Sequence, residues 1–254
     1  MGDREGIWVE ETDIRSYDVD ISSRLTIESL LKIFQEAAWN HAEHLGLGFS
    51  HLGKRNQVWV LSRMMLAVES YPEWGQPVVA RTWPRGCKSL LALRDFELLD
   101  MQGRKLAGAA SGWMIIDLQS RKPQRAEPFI QPIRTFPERR AIGSDPEKIT
   151  PDGEGSRPVI LKVKYSDLDL NNHVNNAAYA RWILDGYPVD FHRRHRVRRF
   201  HLNFLAEVNA DDSVAISTRE VDPLHRIHTL RRQRDGVESC RAEVIWETDA
   251  MLPA

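Results

Sequence analysis

The stretch DLDLNNHVNN, residues 167–176, places two aspartates, four asparagines and one histidine within ten positions. Three uses fit such a cluster: a calcium loop, a polar turn before a helix, or a catalytic site. As a calcium loop, Asp167, Asp169 and Asn171 take the first, third and fifth ligand positions. The sixth position wants glycine and holds Asn172, and the twelfth wants a bidentate carboxylate and holds Ala178. The loop therefore lacks both its sharp turn and its strongest ligand. As a turn, the cluster uses the residue types that fill turns and helix N-caps. As a catalytic site, Asp169, Asn171 and His173 alternate by two, so in an extended segment they point to one side. They would supply a carboxylate, an amide that both donates and accepts, and an imidazole that passes a proton near neutrality. A helix begins just after, and its N–H groups near Asn175 and Asn176 carry partial positive charge. One such donor aimed at a developing oxyanion is worth roughly 3 kcal/mol in a transition state. Residue types alone leave the turn and the catalytic site both open.

The rest of the chain narrows the chemistry. Its 254 residues are 42% hydrophobic, enough for a sizeable core, and the net charge of −1 gives no reason to expect nucleic-acid binding. Cys87 and Cys240 are the two cysteines; they show no zinc spacing and read as buried structural thiols in a reducing compartment. His41 and His44 sit three apart on a predicted helix and lack the further ligands a metal needs, so neither a metal nor a bound cofactor is expected. The start, MGDREGIWVEETDIR, has no apolar signal core, and no run of about 18 apolar residues occurs, so a cytoplasmic protein is expected.

Seven of the thirteen prolines fall between residues 120 and 158 (Pro123, Pro128, Pro132, Pro137, Pro146, Pro151 and Pro158), which predicts an extended surface linker there. The linker separates domains over 1–119 and 159–254, and each shows the same order of elements. In the first, TIESLLKIFQEAAWNHAEHLG has helical periodicity with Thr26 as N-cap; Phe34 and Trp39 on it would line the core or a pocket. In the second, VNNAAYARWILDG is the helix. Strand-like runs follow both helices, and LAVESYPEWGQPVVARTW (66–83) aligns with LNFLAEVNADDSVAISTR (202–219) without a gap. A strand, a long helix and an antiparallel meander is the layout of a hotdog domain. The expected fold class is α+β: two tandem hotdogs, each a curved sheet wrapped around a long central helix, packed as an internal pseudo-dimer.

YSDLDLNNHVNNAAYARWILD resembles the second-domain signature of the acyl-(acyl carrier protein) thioesterases, roughly W-x-D-L-D-x-N-x-H-V-N-N-x-x-Y-x-x-W-I-L-E. YDVD, LLKIFQEAAWNHAEHLG, WVLSRM, RTWPRG and LRDFELLD in the first half resemble the bacterial branch of that family, so the likeness covers nearly the whole chain. The resemblance implies a hydrolase that releases free fatty acid from acyl carrier protein, with Asp169, Asn171, His173 and Glu207 as catalytic residues and the acyl pocket in the first domain. Asp169 would attack the thioester or activate water. Asn171 would hold the water or the carbonyl, His173 would shuttle the proton, and Glu207 would orient water or act as second base. Plant members carry a cysteine directly after that glutamate; here it is Val208, which argues against a cysteine nucleophile. The basic run FHRRHRVRRF supplies Arg193, Arg194, Arg196, Arg198 and Arg199, read as a dock for the acidic carrier protein beside the active-site mouth or as a solvated basic edge. An acyl-CoA thioesterase and a dehydratase would share the fold. A non-catalytic acyl binder would need none of Asp169, Asn171 and His173 together.

Overall fold

Ile27, Leu30, Leu31, Phe34, Ala37 and Ala38 recur at helical spacing and form the buried face of helix α1 (Ile27–His44). The computed structural model describes residues 2–150 and 155–249. Thr26 starts the helix, its Oγ1 accepting from the Ser29 N–H at 3.1 Å, and Glu28 in the first turn complements the helix dipole. Gly46, at φ +69°, reverses the chain just beyond the helix, where a Cβ would strain the backbone.

The chain divides into two units, Met1–Pro146 and Glu147–Ala254. In the first, strands β1 (Gly2–Arg4), β2 (Ile7–Asp13), β3 (Gln57–Val68), β4 (Pro77–Lys88), β5 (Leu91–Asp100) and β6 (Lys105–Asp117) form an antiparallel sheet in the order β1-β2-β4-β5-β6-β3. The short β7 (Pro123–Gln124) pairs with β6, and one-turn helices α2 (Phe49–Leu52) and α3 (Glu127–Ile130) flank the sheet. Helix α1 packs against it, with Phe34 stacked on Phe96 of β5 at 5.1 Å. Trp39 is 41% exposed and stacks on Phe49, so it is not the core residue that the sequence allowed.

The proline-rich segment differs from the surface linker its composition predicts. Ala126, Ile130 and Ala141 are buried in the first unit. Trp83 Nε1 donates to the Arg139 carbonyl at 3.0 Å, and the Ala141 N–H donates to Asp95 Oδ2 at 2.8 Å. The close approach depends on Gly108 of β6, where an added Cβ would lie 2.9 Å from the Ala141 carbonyl oxygen. Prolines remove donors without preventing the segment from packing. Further along, the Ile149 N–H donates to Asn203 Oδ1 at 2.7 Å within the second unit. Pro151 and its neighbours 152–154 lie outside the described residues.

In the second unit, β8 (Val159–Lys162), β9 (His195–Phe204), β10 (Ser213–Asp222), β11 (His225–Arg232) and β12 (Glu238–Thr248) form an antiparallel sheet in the order β9-β12-β11-β10-β8. Along β12, Cys240, Ala242, Val244 and Trp246 point inward at every second position. Helix α4 (Asn176–Leu184) packs its Tyr179 edge-on to Phe204 of β9 at 5.3 Å. With nine residues it is half the length of α1; Asp185 and Gly186 close it, and α5 (Val189–Arg194) follows Pro188. Cys240 is fully buried, as expected, and burial pushes its thiol pKa up. Cys87 is exposed at the end of β4, which corrects the expectation of a buried thiol. Among the described residues, no helix is long and apolar enough to cross a membrane.

Candidate active site

The segment between β8 and α4 is a chain of turns. Asp167 closes a 3-10 turn over Tyr165–Asp167, its Oδ2 accepting from the Lys164 N–H at 2.7 Å. Asp169 then closes a second turn. Its N–H donates to the His173 carbonyl at 2.8 Å, and its carbonyl accepts from the Asn172 N–H at 3.0 Å. Its Oδ1 accepts from the N–H groups of Asn171 at 2.8 Å and His173 at 3.3 Å. Asn172 sits at φ +60°, a left-handed position that asparagine tolerates better than most residues. The expectation that Asp169, Asn171 and His173 share one side of an extended segment is therefore corrected. They lie on a tight turn, held by the local side-chain-to-backbone bonds that compete with strand geometry.

The turn leads directly into a helix start. The Asn175 N–H donates to the Asp167 carbonyl at 2.8 Å, and Asn175 Oδ1 caps α4 by accepting from the Ala177 N–H at 2.8 Å. Two of the helix-start donors expected for an oxyanion are thus already engaged. The Asn176 N–H is left without a hydrogen-bond partner among the described residues.

The second side of the site comes from the chain after β9. The Val174 N–H donates to the Val208 carbonyl at 2.9 Å, and His173 forms a bridge with Asn209. This pairing brings His173 Nε2 to 3.7 Å from Glu207 Oε2, with each side chain a little over one-third exposed. The contact is an ion-pair distance, longer than a direct hydrogen bond. Arg232 Nη1 donates to the Glu207 carbonyl at 2.6 Å, and its Nη2 pairs with Asp235 Oδ2 at 2.9 Å. The structure therefore gathers Asp169 and His173 on one turn, sets Glu207 opposite His173, and leaves Asn171 exposed on the same turn. Sequence reasoning did not single out Arg181. From α4 it reaches back to the buried carboxylate of Asp167, and an arginine six residues beyond the asparagine cap is the signal that could have found it.

The arginines expected beside the mouth of the site are spread over α5 and β9. Arg196 is eight residues from Phe204 along β9, about 26 Å at the usual strand rise. Four of the five make local polar contacts. Arg193 pairs with Asp190 at 3.0 Å, Arg196 and Arg198 pair with Glu247 at 2.8 and 3.8 Å, and Arg194 Nε donates to the Asp190 carbonyl at 3.1 Å. Arg199 is exposed beside them. His41 is fully buried against Arg94 of β5, whose Nη1 lies 3.1 Å from Nδ1, whereas His44 is exposed.

Both halves of the chain, and not the turn alone, match known proteins. The family model for the acyl-ACP thioesterase N-terminal domain matches residues 6–132, and that for the C-terminal domain matches residues 154–248. The chain belongs to the acyl-ACP thioesterase family. Oleoyl-acyl carrier protein thioesterase 2 of Arabidopsis thaliana is 28% identical to it over 93% of this chain and 76% of its own length. Palmitoyl-acyl carrier protein thioesterase of the same plant is 28% identical over 95% of this chain and 64% of its own length. The crystal structure of an acyl-ACP thioesterase from Bacteroides thetaiotaomicron superimposes with a TM-score of 0.86 at 28% identity, covering 95% of this chain and 98% of that one. The two units of this thioesterase-family chain are tandem hotdog domains.

Proposed function

We propose that this protein hydrolyses acyl thioesters of acyl carrier protein to free fatty acid and carrier protein. The observation that carries the site assignment is the approach of His173 to Glu207 at 3.7 Å across the turn ahead of α4. A carboxylate and an imidazole at that separation can share one water molecule, the glutamate drawing off its proton and the histidine passing it to the departing thiolate. Asn171, on the same turn, is a donor and acceptor for the water or the carbonyl. The Asn176 N–H at the start of α4 is a donor for the oxygen that gains charge. Val208 follows Glu207, so water and not a thiol is the attacking group in this reading.

The first hotdog holds the acyl chain in this proposal, the two hotdogs pair as an internal pseudo-dimer, and the protein works in the cytoplasm. Membership of the family supports carrier protein over CoA as the thiol component. The experiment that tests the reading supplies the same acyl group on acyl carrier protein and on CoA, with release of free thiol and fatty acid as readout. Faster release from the carrier-protein ester is the expected result. Acyl binding without thiol release, or loss of water from a 3-hydroxyacyl chain with the thioester intact, would overturn it.

A further inference from the structure

The turn around Asp169 occurs twice in this chain. In the first unit, the Asp20 N–H donates to the Arg24 carbonyl at 2.8 Å and the Ser23 N–H donates to the Asp20 carbonyl at 3.0 Å. These match the Asp169–His173 bond at 2.8 Å and the Asn172–Asp169 bond at 3.0 Å. Asp20 Oδ1 accepts from the N–H groups of Ser22 at 2.8 Å and Arg24 at 3.2 Å, as Asp169 Oδ1 does from Asn171 at 2.8 Å and His173 at 3.3 Å. Ser23 stands at φ +59° where Asn172 stands at φ +60°. The Thr26 N–H donates to the Asp18 carbonyl at 2.9 Å, as the Asn175 N–H does to Asp167 at 2.8 Å, and both Thr26 and Asn175 then cap a helix. The bridge Val19–Leu25 answers Leu168–Val174, and Arg24–Glu73 answers His173–Asn209.

This superposition fixes which residues correspond. Ser22 takes the place of Asn171, Arg24 that of His173 and, through the pairing of Leu25 with Pro72 and of Val174 with Val208, Tyr71 that of Glu207. The amide, the imidazole and the second carboxylate are all replaced in the first unit. The aspartate, with its two backbone bonds, is retained in a turn that has no histidine–glutamate pair. A retained residue with the same hydrogen bonds in both settings serves what both settings share, which is the fold of the turn.

We infer that Asp20 and Asp169 are one positioning residue in two copies of one turn, and that Asn171, His173 and Glu207 are what make the second copy a catalytic site. Through Oδ1, Asp169 sets the backbone that carries His173 toward Glu207. The inference rests on the proposed hydrolysis for its kinetic half and on geometry alone for its structural half.

The test is a matched set of variants in the full chain: Asp20→Ala, Asp20→Asn, Asp169→Ala and Asp169→Asn. Each is measured for stability in denaturant and for kcat and KM on an acyl-ACP ester. Asparagine keeps an oxygen that can accept both amides, whereas alanine does not. Both alanine variants are expected to lose stability, and both asparagine variants to recover it. Asp20→Ala keeps the wild-type kcat. Asp169→Asn regains at least tenfold in kcat over Asp169→Ala, with KM little changed. An Asp169→Asn variant no faster than Asp169→Ala, though as stable as wild type, would overturn the positioning role. If the wild type hydrolyses no thioester, the proposed function fails and stability alone judges the inference. Losses in both turns that asparagine restores then support it, and a loss confined to one turn overturns it.

Discussion

Asp167 is 1% exposed, and every oxygen it carries is engaged. Oδ1 faces the Arg181 guanidinium, Oδ2 accepts from Lys164, and the carbonyl accepts from Asn175. One residue therefore ties the 3-10 turn, the start of α4 and a side chain one and a half turns along it. Removing Arg181 leaves a buried carboxylate with part of its charge unanswered. Arg181→Ala is expected to cost roughly 1–3 kcal/mol, the usual penalty for stranding a buried polar partner, and Arg181→Lys to cost less. Unfolding in urea, with both variants beside wild type, checks this. At this scale the residue types of the site were legible in DLDLNNHVNN, but their arrangement was not. Alternation by two describes a strand, and the Asp169 carboxylate, bonded to two amides of its own loop, makes a turn instead.

Among elements, the informative case is β6, where Ala107, Gly108, Ala109, Ala110, Ser111 and Gly112 run consecutively. Small side chains leave room for the segment around Ala141 to cross the strand, and Lys105 Nζ and Asp95 Oδ2 hold it there at 3.1 and 2.8 Å. Gly108→Ala would drive a methyl to 2.9 Å from the Ala141 carbonyl oxygen, so the crossing segment must shift. The expected loss is about 1–3 kcal/mol, as for overpacking elsewhere. Faster proteolysis around residues 139–142 would accompany it, and a variant as stable and as resistant as wild type would contradict the clamp. The prolines made residues 120–158 legible as irregular. What they could not disclose was that the segment fills a groove cut by small residues on a strand more than thirty positions earlier. The helices were legible from periodicity, and the first also from its Thr26 cap, because caps and stripes are local signals.

For the whole molecule, each unit buries a histidine that the proposed chemistry does not use. Burial, reinforced by Arg94, lowers the pKa of His41 to about 3, and burial, reinforced by Arg226, does the same to His228. Both are neutral in the folded chain. In the unfolded chain they take up a proton near pH 6.5, so between about 6.5 and 3 the unfolded state binds more protons and stability falls as pH falls. Each contributes a slope of about 1.4 kcal/mol per pH unit. Asp95 acts in the opposite sense. Burial raises its pKa to about 6 against the pull of the Ala141 N–H and Arg85, so its contribution grows as pH falls from about 6 to 3.8. With two histidines against one carboxylate, the net loss sets in as pH falls through about 6.5 and continues below about 6, where Asp95 offsets part of it. Urea midpoints between pH 7 and 5 are expected to fall, and His228→Gln, which stays neutral, to flatten the trend for the second unit. A midpoint that rises toward acid would contradict this balance. The tandem plan itself was legible because residues 66–83 and 202–219 align without a gap, and the same alignment sets Tyr71 against Glu207. The doubled Asp turn was hidden, since its copies share a backbone and little of their side-chain chemistry.

The central claim is that the pairing of His173 with Glu207 performs the hydrolysis. It is tested most directly by kcat/KM on an acyl-ACP ester for wild type, His173→Ala, Glu207→Gln and the double variant, each checked for wild-type stability. The account predicts that each single change lowers the rate by about 10² to 10⁴, the range for losing a general acid or base, and that the double variant is little worse than either single one. Stable variants that hydrolyse the ester at the wild-type rate would contradict it.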